Sequence, residues 1–252
     1  MLGIGQIASR IAELIRGALP YAIVNNNPDA SMFARLISYR RVQQALDAGH
    51  KWIQIKESDV NYEKFTINDS KTTVIGNQGV LVDGGTDDAA VTIADGAEYC
   101  RVEGIRVQTT AGGGNDYHGV DVYGDYNTIA YCTCVASDQD GFTAAGSPSG
   151  QWNLFIGCVC IDCDRHGFAA WGQGSIIIGC RDLSAGTYSY YLGSSGTNIA
   201  VGNLALNGGT LQVASSANMV IGNMFDVGIA ATSGNAQYGS AGGTADGANQ
   251  IF

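Results

Sequence analysis

The sequence predicts an all-β fold in which short parallel strands stack as a coiled ladder, and three observations predict it. A six-residue pattern occurs six times at intervals of 20 to 27 residues. One position of that pattern is always apolar. The 252-residue chain also holds 36 glycines, 3 prolines and only 14% charged residues, which suits many tight turns between short strands rather than a helical bundle.

The repeats are CRVEGI from Cys100, NTIAYC from Asn127, NLFIGC from Asn153, SIIIGC from Ser175, NIAVGN from Asn198 and NMVIGN from Asn218. Each is a short run rich in β-branched residues and closed by a glycine or a small residue, the signature of a strand running into a turn. Val102, Ile129, Phe155, Ile177, Ala200 and Val220 share one column, as expected of strands that line a common core. Asn127, Asn153, Asn198 and Asn218 share another, with Cys100 and Ser175. Stacked asparagines at a turn can satisfy buried backbone groups between coils. Ile105, Cys132, Cys158, Cys180, Asn203 and Asn223 form a third column.

That third column bears on the seven cysteines, an odd number that does not read as a disulfide framework. CTC (Cys132, Cys134) and CVCIDC (Cys158, Cys160, Cys163) could ligate zinc or iron. But Cys134 and Cys160 follow Cys132 and Cys158 by two residues, on the same inward face, where free cysteine acts as a small hydrophobe. Packing, not metal, is the expected role of the thiols, and no metal centre is assigned to them.

Ahead of the repeats lie two further segments. In residues 1–30, Ile4, Ile7, Ile11, Leu14 and Ala18 follow a 3-4-3-4 spacing, an apolar seam of about two heptads. Isoleucine at both seam positions favours trimers or tetramers over dimers. Folding back onto the strands and lying on a membrane surface are the other readings, and two arginines make the membrane the weakest. In residues 31–49, Phe33, Leu36, Ile37, Val42 and Leu46 form a helical stripe ended at DAG, an amphipathic helix able to cap the first coil. Residues 50–252 hold the ladder and a Gly/Ala-rich tail.

Charge is uneven. Residues 1–71 carry nine Lys/Arg against seven Asp/Glu, and residues 72–252 four against sixteen. So acidic a surface repels phosphate backbones, so no nucleic-acid partner is expected. No run is apolar enough to span a bilayer and no secretory leader is recognisable, so synthesis in the cytoplasm without membrane insertion is expected.

The 20–27 residue coil, the Asn and Cys ladders and the helix before the first strand resemble the right-handed parallel β-helix of the pectate-lyase-like superfamily over about residues 50–235. With the N-terminal seam, the chain is most similar to bacteriophage tailspikes and tail fibres. That resemblance implies a homotrimer on a virion, joined to a tail or baseplate protein through residues 1–30, whose β-helix binds host surface polysaccharide. The chain departs from the group in its short length and its lack of an obvious C-terminal trimerisation domain.

The strands YHGVDVYG, QDGFTAAG and RHGFAAWG place His118, Asp140 and His166 in one column, and Asp116, Asp138 and Asp164 in another. Neighbouring coils lie about 4.8 Å apart, so the two columns form one patch. Glycoside hydrolysis needs two carboxyls, and crowding raises one toward a general acid's pKa. Asp138, Asp140, Asp164 and His166 are the catalytic candidates, with hydrolysis ranked above lyase chemistry. Polygalacturonases of this superfamily use an adjacent aspartate pair and an Arg-x-Lys motif; the chain has no such pair at this location and no Arg-x-Lys. No cofactor is expected, although the Asp116/Asp138/Asp164 column offers oxygen ligands for Ca²⁺.

Rings concentrate on the same coils, and rings stack on the apolar faces of sugars. Asp116, Tyr117, His118, Tyr123, Trp152, Arg165, Trp171 and Tyr190 are the carbohydrate-binding candidates. Aspartates before a strand also cap turns without any chemistry. Binding without cleavage is therefore ranked first, cleavage second, and a purely structural virion part third.

Overall fold

Each repeat folds as one coil of three short strands, for example Arg101–Glu103, Arg106–Gln108 and Val120–Val122, before the next coil opens at Thr128–Ala130. These coordinates come from a computed structural model. It describes residues 38–225, apart from 87, 111–116, 146–149, 194–196, 208 and 215–217, together with residues 13–14, 19, 21–31, 34, 228–231 and 250–251. The coils stack as a parallel β-solenoid of about seven turns. Three sheets of nine, nine and eight strands run along it. The first sheet contains the repeat strands, the second follows after one turn, and the third precedes the return.

The apolar column is a physical column. Val102 pairs with Ile129, Ile129 with Phe155, Phe155 with Ile177, Ile177 with Ala200 and Ala200 with Val220. All six are at most 1% exposed. Strands of two to five residues could not persist alone; each is held by ladder bonds to both neighbours and by one inward side chain in a shared core. Inside the third sheet the rings of Phe142, Phe168 and Tyr190 stack at 5.0 and 5.2 Å, each tilted 8°.

The asparagine ladder closes the coils. Asn153 Oδ1 accepts the Asn127 N–H at 2.7 Å, Asn198 that of Ser175 and Asn218 that of Asn198, both at 2.9 Å. One turn on, Cys132, Cys158 and Cys180 point their Sγ atoms at carbonyls of the preceding coil, 3.5 to 3.7 Å away. Asn203 and Asn223 serve the equivalent carbonyls through Nδ2 at 2.9 Å. Cysteine and asparagine therefore interchange in this column because both are small, buried and able to donate. The turn needs a left-handed residue, supplied by Gly104, Gly157, Gly179, Gly202 and Gly222 at φ 58 to 75. Tyr131 takes that position once, at φ 53, with its ring lying over Gly157.

The N-terminal expectations need adjustment. Ala22–Val24, inside the predicted attachment segment, is a strand that pairs with Trp52–Ile55, so the solenoid begins before residue 31. The described helix is Val42–Asp47, burying Val42 and Ala45 against the first strands. The seam at Ile4, Ile7, Ile11 and Ala18, the stripe residues Phe33, Leu36 and Ile37, and most of the tail lie outside the described residues. No described helix is long and apolar enough to cross a membrane.

The cysteine reading also needs correction. Cys160 and Cys163 are joined by a disulfide, a short-range link invisible to a search for ladder columns.

Candidate functional site

Between the second and third sheets the coils stop repeating one another. Val120, Phe142 and Phe168 are in register, which sets His118, Asp140 and His166 side by side as predicted. The predicted surface does not follow. Asp140 is 0% exposed and is held in a two-point ion pair, Arg165 Nε to Oδ1 at 2.7 Å and Nη2 to Oδ2 at 2.5 Å. His118 is buried, and its Nδ1 accepts the Asp140 N–H at 3.2 Å, which leaves the ring proton of a neutral His118 on Nε2. Asp140 is therefore the structural anchor of Arg165, not an open catalytic carboxylate.

His166 is also buried, and its Nδ1 has no hydrogen-bond partner among the described residues. Burial holds its pKa below the ordinary value, with the Asp140 charge opposing that shift. Two rings of the next coil stack against it, Tyr188 at 5.4 Å and Tyr191 at 5.2 Å, themselves 6.3 Å apart. Trp171 lies 4.1 Å from Tyr191, and the Arg165 guanidinium 5.6 Å from the Trp171 ring. Arg165, His166, Trp171, Tyr188 and Tyr191 thus form one aromatic and cationic patch, of which Arg165, Trp171, Tyr188 and Tyr191 remain partly exposed.

Beside the patch in the chain is an acidic cleft of about 310 Å³ lined by Gln108, Thr109, Thr110, Ala136, Ser137, Asp138, Asp162 and Asp164. Burial first, then the charge of Asp138 and a side-chain hydrogen bond with it, then the charge of Asp162, raise the Asp164 pKa. The predicted pairing of Asp138 with Asp164 is therefore present, and Asp162 joins it. Asp116 lies outside the described residues. The cleft can hold a proton between two carboxyls, bond sugar hydroxyls or offer oxygens to a cation.

Four further candidates stand apart from the patch. Tyr190 is wholly buried in the ring stack, its hydroxyl 2.9 Å from the Cys180 and Leu204 carbonyl oxygens, and cannot meet a ligand. Tyr117 is 9% exposed. Trp152 is open to water but stands at φ 58 in a turn row with Tyr99 and Tyr126, whose rings stack at 5.2 Å. Tyr123 is half-buried, in the same column as Trp171 but two coils away.

Sequence reading did not single out Asp162, or Tyr188 and Tyr191 ahead of Tyr190. The signal for Asp162 was the DCD triplet, an inward cysteine between two outward acids. That for the tyrosines was register: Phe168 pairs with Tyr190, which sends Tyr191 outward. Comparison with protein-family models, curated proteins and solved structures finds no match to this chain.

Proposed function

We propose that this protein binds a polysaccharide across the patch of Arg165, Trp171, Tyr188 and Tyr191 and the adjoining acidic cleft. The observation that carries the reading is the contact of Trp171 with Tyr191 across two successive coils, next to a guanidinium held in place by a buried carboxylate. Flat, fixed rings match the apolar faces of sugars, while carboxylates and a positioned arginine bond hydroxyls. Because residues 72–252 are strongly acidic, a neutral glycan fits better than a polyuronate.

The right-handed winding, the capping helix and display as a homotrimer on a virion, made in a host cytoplasm and joined to a tail or baseplate protein through residues 1–30, belong to the same proposal. They are supported by the resemblance of the sequence to phage tailspikes and tail fibres, with host surface polysaccharide as the ligand.

Affinity electrophoresis through gels of host capsule or lipopolysaccharide tests the binding. Retardation is expected for the native chain, and about tenfold weaker retention for Trp171→Ala and Tyr191→Ala. Full retention in both variants removes the patch from the account, and no retention of the native chain on any glycan favours a purely structural role.

A second reading, glycoside hydrolysis, is favoured by the raised pKa of Asp164 beside Asp138. It predicts new reducing ends on incubation with the bound glycan, abolished by Asp164→Asn. Ca²⁺ in the same cleft would instead make binding sensitive to chelators.

A further inference from the structure

Three cysteines outside the ladder converge beneath the acidic cleft. Cys134 and Cys160 are register partners on the second sheet, and Cys163 turns inward between the exposed Asp162 and Asp164. All three are buried, and their sulfurs lie within 4.8 Å of one another, with Cys134 Sγ 3.9 Å from Cys163 Sγ. The facing strand has been emptied to admit them. A Cβ on Gly141 would stand 2.5 Å from Cys160 Sγ and 2.8 Å from Cys163 Sγ, and one on Gly119 2.6 Å from Cys134 Sγ. The next residue in the Cys134–Cys160 column is Asp182, wholly buried.

We propose that, once the Cys160–Cys163 disulfide is reduced, Cys134, Cys160 and Cys163 bind one thiophilic divalent cation, Zn²⁺ or a chemical equivalent, so that the cluster alternates between a disulfide and a metal thiolate. Three sulfurs from two adjacent coils, two of them in a Cys-x-x-Cys step, form the open face of a tetrahedral site. The sulfurs of Cys132, Cys158 and Cys180 form no such group of three, each facing a carbonyl of the preceding coil. The exposed acids Asp162 and Asp164 beside Cys163 collect cations at the entrance.

The chemistry balances. A dithiol reductant gives two electrons and two protons to the disulfide, which becomes two thiols while the reductant becomes a disulfide. The cation then displaces three protons from three thiols, leaving a complex of net charge −1.

The test uses Co²⁺ as the probe on the full chain, reduced with a dithiol and desalted under inert gas. One equivalent should bind with thiolate-to-cobalt charge-transfer absorption, be displaced by Zn²⁺, and be absent before reduction. Cys134→Ser and Cys163→Ser should each weaken binding by about 100-fold or more, whereas Cys132→Ser, equally buried, should leave it unchanged. Zn²⁺ should also raise the thermal midpoint of the unsubstituted reduced chain, a readout independent of any variant. No charge-transfer band in the reduced native chain, equal binding before reduction, undiminished binding by Cys163→Ser, or an equal loss in Cys132→Ser would each overturn the proposal.

Discussion

Two turns of the same coil behave differently. In the turn between the first and second sheets five successive coils, from Cys132 to Asn223, do the same thing: a cysteine or asparagine faces inward and donates to the coil before it. Between the second and third sheets each coil differs, with Cys134 and Cys160, Asp138 and Asp164, or the Asp140–Arg165 pair in equivalent or neighbouring places. The first region holds the coils at one spacing, and the second uses that spacing to bring unlike groups together. Repetition carries the stability, and departure from repetition carries the chemistry.

The largest effect should come from breaking the regular turn. Asn203→Leu removes the acceptor for the Cys180 N–H and the donor to the Ile177 carbonyl, both buried. It should cost about 4 kcal/mol, read as a lower urea midpoint at unchanged slope. Cys158→Ser, which keeps a small donor facing the Ile129 carbonyl, should cost about 1 kcal/mol. Equal costs would mean that the ladder does not order the coils.

In the irregular turn, Arg165→Met strands the wholly buried Asp140. It should cost about 3 kcal/mol, at the low end for a broken buried pair because Arg165 itself is partly exposed. A neutral result would place Asp140 in contact with water.

Two glycines sharpen the contrast further. Gly141→Ala forces a methyl against two sulfurs and the Gly167 carbonyl and should cost about 2 kcal/mol by crowding. Gly179→Ala meets nothing within 4 Å and should cost about 1 kcal/mol, from its left-handed backbone alone.

The smallest effect concerns pH. His166 has a lowered pKa in the folded chain, so the unfolded chain binds its proton more readily. Its contribution to stability is complete above the unfolded value and is lost as pH falls through that value toward the folded one. Thermal midpoints taken across roughly pH 7 to 5 should decline, and less steeply in His166→Phe.

The columns were legible in the sequence because a residue lining a shared core must be apolar at every coil, as Val102, Ile129 and Phe155 are. The His118/Asp140/His166 row was legible for the same reason, one residue before a common glycine. Its burial was not, because it depends on Arg165 reaching across one coil to Asp140, and a column alignment contains no such diagonal. Tyr190 shows how narrow the margin is: aligning SYYLG with FAAWG on the closing glycine is off by one residue, and one residue exchanges the inner and outer faces. The sulfur cluster was hidden for a third reason. Cys163 belongs to a turn, and where a turn points its side chain follows from neighbouring coils rather than from its own spacing.

The central claim is that residues a coil apart in the sequence lie directly above one another, and spin labels on the outer face of the first sheet test it most directly. Positions 128 and 219 are four coil steps apart, so their backbones should be separated by about 19 Å, and moving the first label to position 101 should add about 4.8 Å. A separation that does not grow by one strand spacing per coil would contradict the ladder and, with it, the sites built on it.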